Sequence, residues 1–342
     1  MEGKKLGRQT VRLARPSAIA GAGCAAGRKE GEGPLGSCFD WVARDDRLSE
    51  PTWEKAETAF QVRALRRALD RAAVRKEELD FLLAGDLLNQ CVASSFAVRN
   101  RGIPYLGLYG ACSTMAEGLS LAAMLLDGGF GDCAAAVTSS HFCAAERQYR
   151  TPLEYGSQRP PTAQWTATGA GAVILTRTGR GPRVTHVTLG TVVDKGVADP
   201  NNMGAAMAPA AYAALRAHFD DTGRGPEDYD AIVTGDLGRV GKEILLDLFR
   251  RDGADLAPVY EDCGVMLFDG KAQDVHAGGS GCGCSALVLT GVLLPRLREG
   301  SLRRLLFCGT GALHSPLTSM QGETIPGICH AAAIEAEEGG RP

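Results

Sequence analysis

The chain has no long apolar run. Its apolar segments, such as Ala170 to Leu175 and Leu287 to Leu294, fall far short of the roughly 20 residues that a membrane-spanning helix needs. The basic segment from Met1 to Pro16 is not followed by an apolar stretch of signal-peptide length. We therefore expect any membrane association to be peripheral. We also expect a reducing compartment, despite the 11 cysteines.

An excess of charge of either sign is also missing. The chain has 37 Lys and Arg residues against 40 Asp and Glu, for a formal net charge of -3. No global basic field therefore favours nucleic acid or acidic lipid as the main partner. Any site for an anion must be local.

Glycine, in contrast, is abundant. The 44 glycines concentrate in short loops between apolar runs, as expected for many strand-to-helix corners. At 342 residues the chain is long enough for one large domain or two ordinary ones. These features favour an α/β fold.

The chain partly repeats itself. Glu78 to Leu87 closely resembles Asp228 to Leu237, and each reads as a buried strand that ends in Gly-Asp. Further helix and strand patterns also correspond: Ser113 to Leu126 and Cys133 to Thr138 in the first half, Ser285 to Arg298 and Arg304 to Cys308 in the second. We predict two similar halves, residues 1–180 and 181–342, with the boundary near Thr178 to Pro182.

Cys112 lies between an apolar strand-like run, Ile103 to Gly110, and the helix pattern that starts at Ser113. The positive end of a helix favours thiolate, so this corner suits a nucleophile. His276, on the glycine-rich segment 276–285, could supply a partner imidazole. The alternatives are an inert buried thiol and a loop histidine satisfied by backbone.

Other histidines and cysteines carry weaker signals. His141 follows Thr138-Ser139-Ser140 and could approach the same site, although a surface or structural role fits equally well. His314 and His330 adjoin turns and give little indication of function. Cys282 and Cys284 lack a second spaced pair of ligands, so packing at a helix start is favoured over metal binding.

Four segments, in order, resemble the thiolase superfamily. They are the Cys112 corner, the Gly-Ala-Gly-Ala strand at 168–175, the glycine loop at 276–281 and the turn Gly309-Thr310-Gly311. The resemblance implies a thiolase-like α/β fold of two similar halves in an α-β-α-β-α arrangement. Together with the strand-to-helix corner and the glycine-rich segment, the resemblance indicates six candidate ligand-binding residues: Cys112, Ser113, His141, His276, Gly279 and Thr310.

Within that superfamily the chain resembles most closely the stage V sporulation protein AD family. The segments that carry this resemblance are Thr52 to Glu57, Asn202 to Ala211, Gln273 to Ser285 and Gly322 to Ile328. It implies binding of dipicolinic acid, with calcium as a further candidate, and help in moving it into the developing spore. It also implies action beside membrane proteins of the same operon, peripherally at the cytoplasmic face of the forespore or spore inner membrane. The fold implies a homodimer.

The sequence departs from the enzymes of the superfamily. Where this chain has Gly235-Asp236, initiating ketoacyl synthases have Pro-His and thiolases have an Asn-Glu motif. An Asp cannot replace the imidazole or amide donor that positions a thioester oxygen in those enzymes. Cys308 directly precedes Gly309, one residue off the thiolase register, so its side chain should point away from Cys112. We therefore expect no condensing activity. The alternatives are an acyl-CoA transferase or condensing enzyme that uses Cys112, and a pure interaction subunit.

A pocket for a small aromatic dianion needs N–H donors, an apolar wall and a balancing cation. The helix start at Cys112 and the loop at 278–283 are candidates for the donors. Arg147, Gln148 and Arg159 are candidates for charge balance. They lie in or near a predicted loop, residues 150–166, which we expect to lie over the pocket.

Overall fold

A mixed sheet extends through both halves of the chain in the computed structural model, which describes residues 4–150 and 158–337. The strands of the chain are β1 (Thr10–Arg12), β2 (Ala18–Ala26), β3 (Phe81–Gly85), β4 (Tyr105–Leu108), β5 (Cys133–Ser140), β6 (Trp165–Thr166), β7 (Gly169–Thr176), β8 (Arg183–Thr188), β9 (Ala231–Thr234), β10 (Tyr260–Asp262), β11 (Gly279–Ser280), β12 (Arg304–Ala312) and β13 (Gly327–Glu335). Strands β6 and β11 pair with each other in a separate two-stranded sheet, and the others form the mixed sheet.

The helices pack on both faces of the sheet. They are α1 (Arg28–Gly31), α2 (Trp53–Ala72), α3 (Val92–Val98), α4 (Thr114–Gly128), α5 (Phe142–Tyr149), α6 (Met203–Thr222), α7 (Gly238–Arg251), α8 (Cys263–Leu267), α9 (Cys282–Val288), α10 (Leu294–Arg298) and α11 (Pro316–Met320). A π-helical turn, Leu289–Leu293, joins α9 to α10. The predicted helix from Ser285 to Arg298 therefore exists, but it begins three residues earlier, at Cys282.

The strand order is the same in the two halves. The first half reads β2-β7-β5-β3-β4 and the second β8-β13-β12-β9-β10. In each, the first three strands are mutually antiparallel neighbours and the last three are parallel neighbours. One residue pair, Ala18 with Arg183, joins β2 to β8. The repeated order confirms the two similar halves of the predicted fold, while their boundary between residues 180 and 181 stays a prediction.

Helices α4 and α9 lie between the two halves of the sheet, and two glycines permit their close approach. A Cβ on Gly309 of β12 would lie 2.6 Å from the Ala116 Cβ of α4. A Cβ on Gly171 of β7 would lie 2.6 Å from the Ala286 carbonyl oxygen of α9. Each central helix thus packs on a strand of the opposite half. With α2 on one outer face and α6 and α7 on the other, the predicted α-β-α-β-α layering is confirmed.

The long outer helix α2 shows how sequence sets this packing. Its N-cap is Thr52, whose hydroxyl accepts a hydrogen bond from the Lys55 N–H at 3.3 Å. Phe60, Ala64 and Ala68 recur at helical spacing and are fully buried against the first half of the sheet. The opposite face of α2 is polar and exposed.

Candidate functional site

Cys112 lies at the predicted corner between strand and helix. A single 3₁₀ turn, Ala111–Ser113, connects β4 with α4, and Ala111 takes a φ of +53°. The Cys112 side chain is only 6% exposed and packs with Leu87, Ala145 and Cys282. The corner therefore presents the sulfur to an interior space rather than to bulk water.

The expected thiolate is wrong for this corner. Burial raises the pKa of the Cys112 thiol well above its ordinary value, and the neighbouring Asp236 carboxylate raises it further. The helix N-terminus favours the anion, but its effect is smaller than desolvation and like-charge repulsion together. Cys112 is therefore a protonated thiol at neutral pH.

Asp236, just beyond β9, is the hub of the site. Its Oδ2 accepts hydrogen bonds from the Ser280 hydroxyl at 3.1 Å and from the Gly281 N–H at 2.9 Å. Its Oδ1 accepts one from the Thr310 hydroxyl at 2.8 Å. The carboxyl group is fully buried, and that burial raises its pKa. Asp236 thus connects the ends of β9, β11 and β12 beneath the sulfur of Cys112, which is 4.0 Å from Ser280 Oγ.

A cavity of about 70 Å³ opens beside Cys112. Its lining comes from both halves: Leu87, Ala111, Cys112, Ala145, Glu146, Tyr149, Arg150, Gln164, Thr166, Pro200, Asn201, Met203, Ser280, Ala312 and His314. The guanidinium of Arg150 lies 2.6 Å from Glu146 Oε2 and donates to Asn201 Oδ1 at 3.0 Å. The cavity therefore combines one cation, one carboxyl group and amide groups, and burial raises the pKa of Glu146.

Aromatic rings separate this cavity from an outer pocket of about 250 Å³, with which it shares Ala111, Tyr149 and His314. The Tyr149 and His314 rings lie 5.8 Å apart, centroid to centroid. Burial lowers the pKa of His314, and the charge of Arg150 lowers it further, so its imidazole is neutral. The mouth of the cavity thus has an uncharged wall made of two rings tilted by 36° to each other.

Of the six predicted ligand-binding residues, Cys112 lines the cavity and Thr310 contacts Asp236 behind it. His276 does not line it, and its Nε2 lies 3.0 Å from Asp274 Oδ1. His141 is buried elsewhere, with Nε2 3.0 Å from the Asp46 carbonyl oxygen. The other two serve the backbone scaffold: Ser113 donates to the Gly110 carbonyl at 2.6 Å, and Gly279 belongs to β11, which pairs with β6.

The charge-balancing candidates also lie outside the cavity. Arg147 pairs with Glu54 and Arg159 with Asp274, while Gln148 donates to the Leu87 carbonyl at 3.0 Å. The cation in the wall is Arg150, at the end of α5. Its signal in the sequence is the helical spacing of residues 145, 146, 149 and 150, which places them on one face. Residues 151–157 of the predicted covering loop lie outside the described residues.

Three cysteines of the second half, Cys308, Cys282 and Cys284, are all buried. Cys308 lies in the outer apolar cluster beneath α6, on the face of β12 opposite Gly309, which contacts α4. The prediction that it points away from Cys112 is confirmed. Cys282 and Cys284 are buried in α9, and the Cys282 sulfur contacts the Ala111 carbonyl at 3.0 Å.

The arrangement around Cys112 differs from a nucleophile with its base. Among residues 4–150 and 158–337, no imidazole hydrogen-bonds to the Cys112 sulfur. Asp236 occupies the segment where the resemblance to ketoacyl synthases leads us to expect a histidine. A protonated thiol beside a buried carboxyl group offers polar contacts to a small molecule, but no activated nucleophile.

The family model for stage V sporulation protein AD matches residues 7–335. The chain belongs to the stage V sporulation protein AD family. A relative of that name from Bacillus subtilis (strain 168) is 45% identical over 336 residues, covering 98% of this chain and 99% of the relative.

Solved structures share the scaffold of this stage V sporulation protein AD family member at much lower identity. The 3-oxoacyl-[acyl-carrier-protein] synthase III from Aquifex aeolicus VF5 is 12% identical with a TM-score of 0.56, covering 93% of this chain and 99% of that one. A histidine-to-asparagine variant of OleA from Xanthomonas campestris is 18% identical with a TM-score of 0.60, covering 95% and 99%. These similarities establish a thiolase-like fold. In the described ranges, no helix has the length and apolar character to cross a bilayer.

Proposed function

We propose that this protein binds dipicolinic acid in the Cys112 cavity and supports its uptake into the developing spore without catalysing carbon-carbon bond formation. The observation that carries the proposal is the composition of the cavity: a guanidinium and amide groups face a neutral aromatic wall, while the thiol is protonated. Membership of a family named for sporulation supports the biological setting. The small inner volume favours a small ligand that extends into the outer pocket.

The charge of the ligand gives Arg150 its role. A planar guanidinium binds a carboxylate through two parallel hydrogen bonds, and that geometry suits one carboxylate of dipicolinate. The Glu146 carboxylate lies 2.6 Å from Arg150, so it would have to take up a proton or give up this ion pair when the ligand binds. The raised pKa of Glu146 makes its protonation less costly. A calcium ion that enters with the ligand would instead hold Glu146 ionised.

We predict that the Arg150→Gln variant binds dipicolinate at least about tenfold more weakly than the wild type, because it loses a half-buried, charged hydrogen-bond donor. Isothermal titration calorimetry, with and without calcium, measures this. Arg147→Gln is the matched control: this arginine lies on the same helix but pairs with Glu54 outside the cavity, and it should bind as the wild type does. No binding of dipicolinate by the wild type would reject the proposed ligand.

We also propose a homodimer at the inner membrane beside membrane proteins of the same operon. Supporting this, β4 ends its half of the sheet, and in the described part of the chain it pairs with β3 alone. The apolar side chains of Leu106 (46% exposed) and Tyr109 (51% exposed) lie on or next to this edge strand, as expected where a second chain pairs with it. Sedimentation equilibrium of the full chain should give the mass of two chains, and Leu106→Lys should lower it to one.

A further inference from the structure

A long groove runs along the exposed face of α2, opposite the face that packs on the sheet. Two adjoining depressions, of about 740 and 530 Å³, share Val62, Arg66 and Asp70 and so form one continuous surface, here called the α2 groove. Helix α3 and the segment that leads to β4 contribute Phe96, Arg99 and Arg101 to it. The groove is separate from the Cys112 cavity, with which it shares no lining residue.

The α2 groove is strongly basic, although the chain as a whole has a net charge of -3. Eight Lys and Arg side chains line it against three Asp and Glu. Five of the cations have no carboxylate partner among the described residues: Lys55, Arg63, Arg66, Arg99 and Arg101. Uncompensated cations of this density on one face attract a polyanionic partner.

Two of these arginines are stacked on aromatic rings. The guanidinium of Arg63 lies 4.3 Å from the ring centroid of Trp41, and that of Arg99 lies 4.5 Å from that of Phe96. Stacking on a ring fixes the orientation of the guanidinium group and leaves the N–H groups at its edge free to bind a carboxylate. The floor of the groove is apolar, with Val62 between the cations and Phe96 45% exposed.

We propose that the α2 groove binds an acidic peptide segment of a partner protein, one in which carboxylates alternate with apolar side chains. Such a segment can place its carboxylates on the arginines while its apolar side chains reach the floor. A bilayer surface fits less well, because Val62 and its apolar neighbours line a concavity that a flat layer of headgroups cannot enter. The proposal is independent of the ligand of the Cys112 cavity.

The test uses the full chain and two short fluorescent peptides of equal charge, one of alternating Glu and Leu and the other of alternating Glu and Ser. Fluorescence anisotropy should show tighter binding of the Glu-Leu peptide, weakened about tenfold or more by the double variant Arg63→Glu, Arg66→Glu. Both arginines are exposed on α2, so folding should be unaffected. Arg250→Glu, Arg251→Glu, on the exposed face of α7, is the matched control and should bind as the wild type does.

The Phe96→Ala variant distinguishes binding that uses the apolar floor of the groove from unspecific attraction between opposite charges. The variant should lose the preference for the Glu-Leu peptide while still binding the Glu-Ser peptide as the wild type does. The proposal is overturned if the wild type binds neither peptide, or if charge reversal on α2 has no more effect than on α7. It is equally overturned if phosphatidylglycerol vesicles bind through Arg63 and Arg66 while the peptides do not. The same holds if Arg63→Glu, Arg66→Glu lowers the mass found by sedimentation from two chains to one, because a second copy of the chain would then cover the groove.

Discussion

The Asp236→Ala variant is expected to lose about 3 to 5 kcal/mol of unfolding free energy, a large part of the stability of a typical domain. Alanine would leave the Gly281 N–H and the hydroxyls of Ser280 and Thr310 without their acceptor in a fully buried place. Each orphaned donor costs about 1 to 3 kcal/mol. Relief of the buried charge offsets part of this loss, but the three hydrogen bonds already stabilise that charge.

Two further variants identify the origin of the effect. Asp236→Asn keeps one acceptor oxygen and should cost less than alanine, about 1 to 2 kcal/mol. Adding Ser280→Ala and Thr310→Val to Asp236→Ala removes the orphaned hydroxyls, so the combined loss should be smaller than the sum of the separate losses. Guanidinium unfolding monitored by circular dichroism measures all three. A loss below about 1 kcal/mol for Asp236→Ala would show that the hub does not hold the strand ends together.

The fold was predictable because its signals are local and occur twice. The segments ending at Gly85-Asp86 and Gly235-Asp236 each place a buried strand before a polar turn, and they became β3 and β9 at equivalent positions in the two halves. The Cys112 corner was equally clear, since an apolar strand meets a helix pattern there. Patterns of period two and period 3.6 decide such elements before tertiary contacts form.

The site was less predictable because its walls come from segments distant in the chain. His276 takes a φ of +50° and pairs with Asp274, a choice of partner that the glycine-rich loop sequence does not encode. Arg150 and Tyr149 reach the cavity only because α5 extends to the edge of the predicted loop. In the sequence, Asp236 marks only a departure from the enzymes of the superfamily. Its contact with Ser280 and Thr310 depends on three strands ending at one place.

The protonation state of Cys112 gives the second large expected effect. At neutral pH we expect iodoacetamide to alkylate Cys112 more than about tenfold more slowly than the exposed Cys38, because the attacking species is the thiolate. The ordinary thiol pKa is already above neutrality, and burial and Asp236 move that of Cys112 further up. The rate at Cys112 should therefore keep rising with pH beyond the range in which an ordinary thiol becomes fully ionised. Peptide mass spectrometry after timed quenching measures both rates.

The same thiol distinguishes the binding protein from its enzymatic rival. An acyl-CoA transferase or condensing enzyme must form a thioester on Cys112, so incubation with acetyl-CoA would add an acetyl mass there. We expect no such addition, with Cys112→Ala as the reference for unspecific acylation. Asp236→Asn removes the nearby negative charge and should speed alkylation of Cys112, whereas a rate set by access alone would not change. An acetylated Cys112 in the wild type would instead mean that the site activates its sulfur during turnover, and the enzymatic alternative would then replace the binding role.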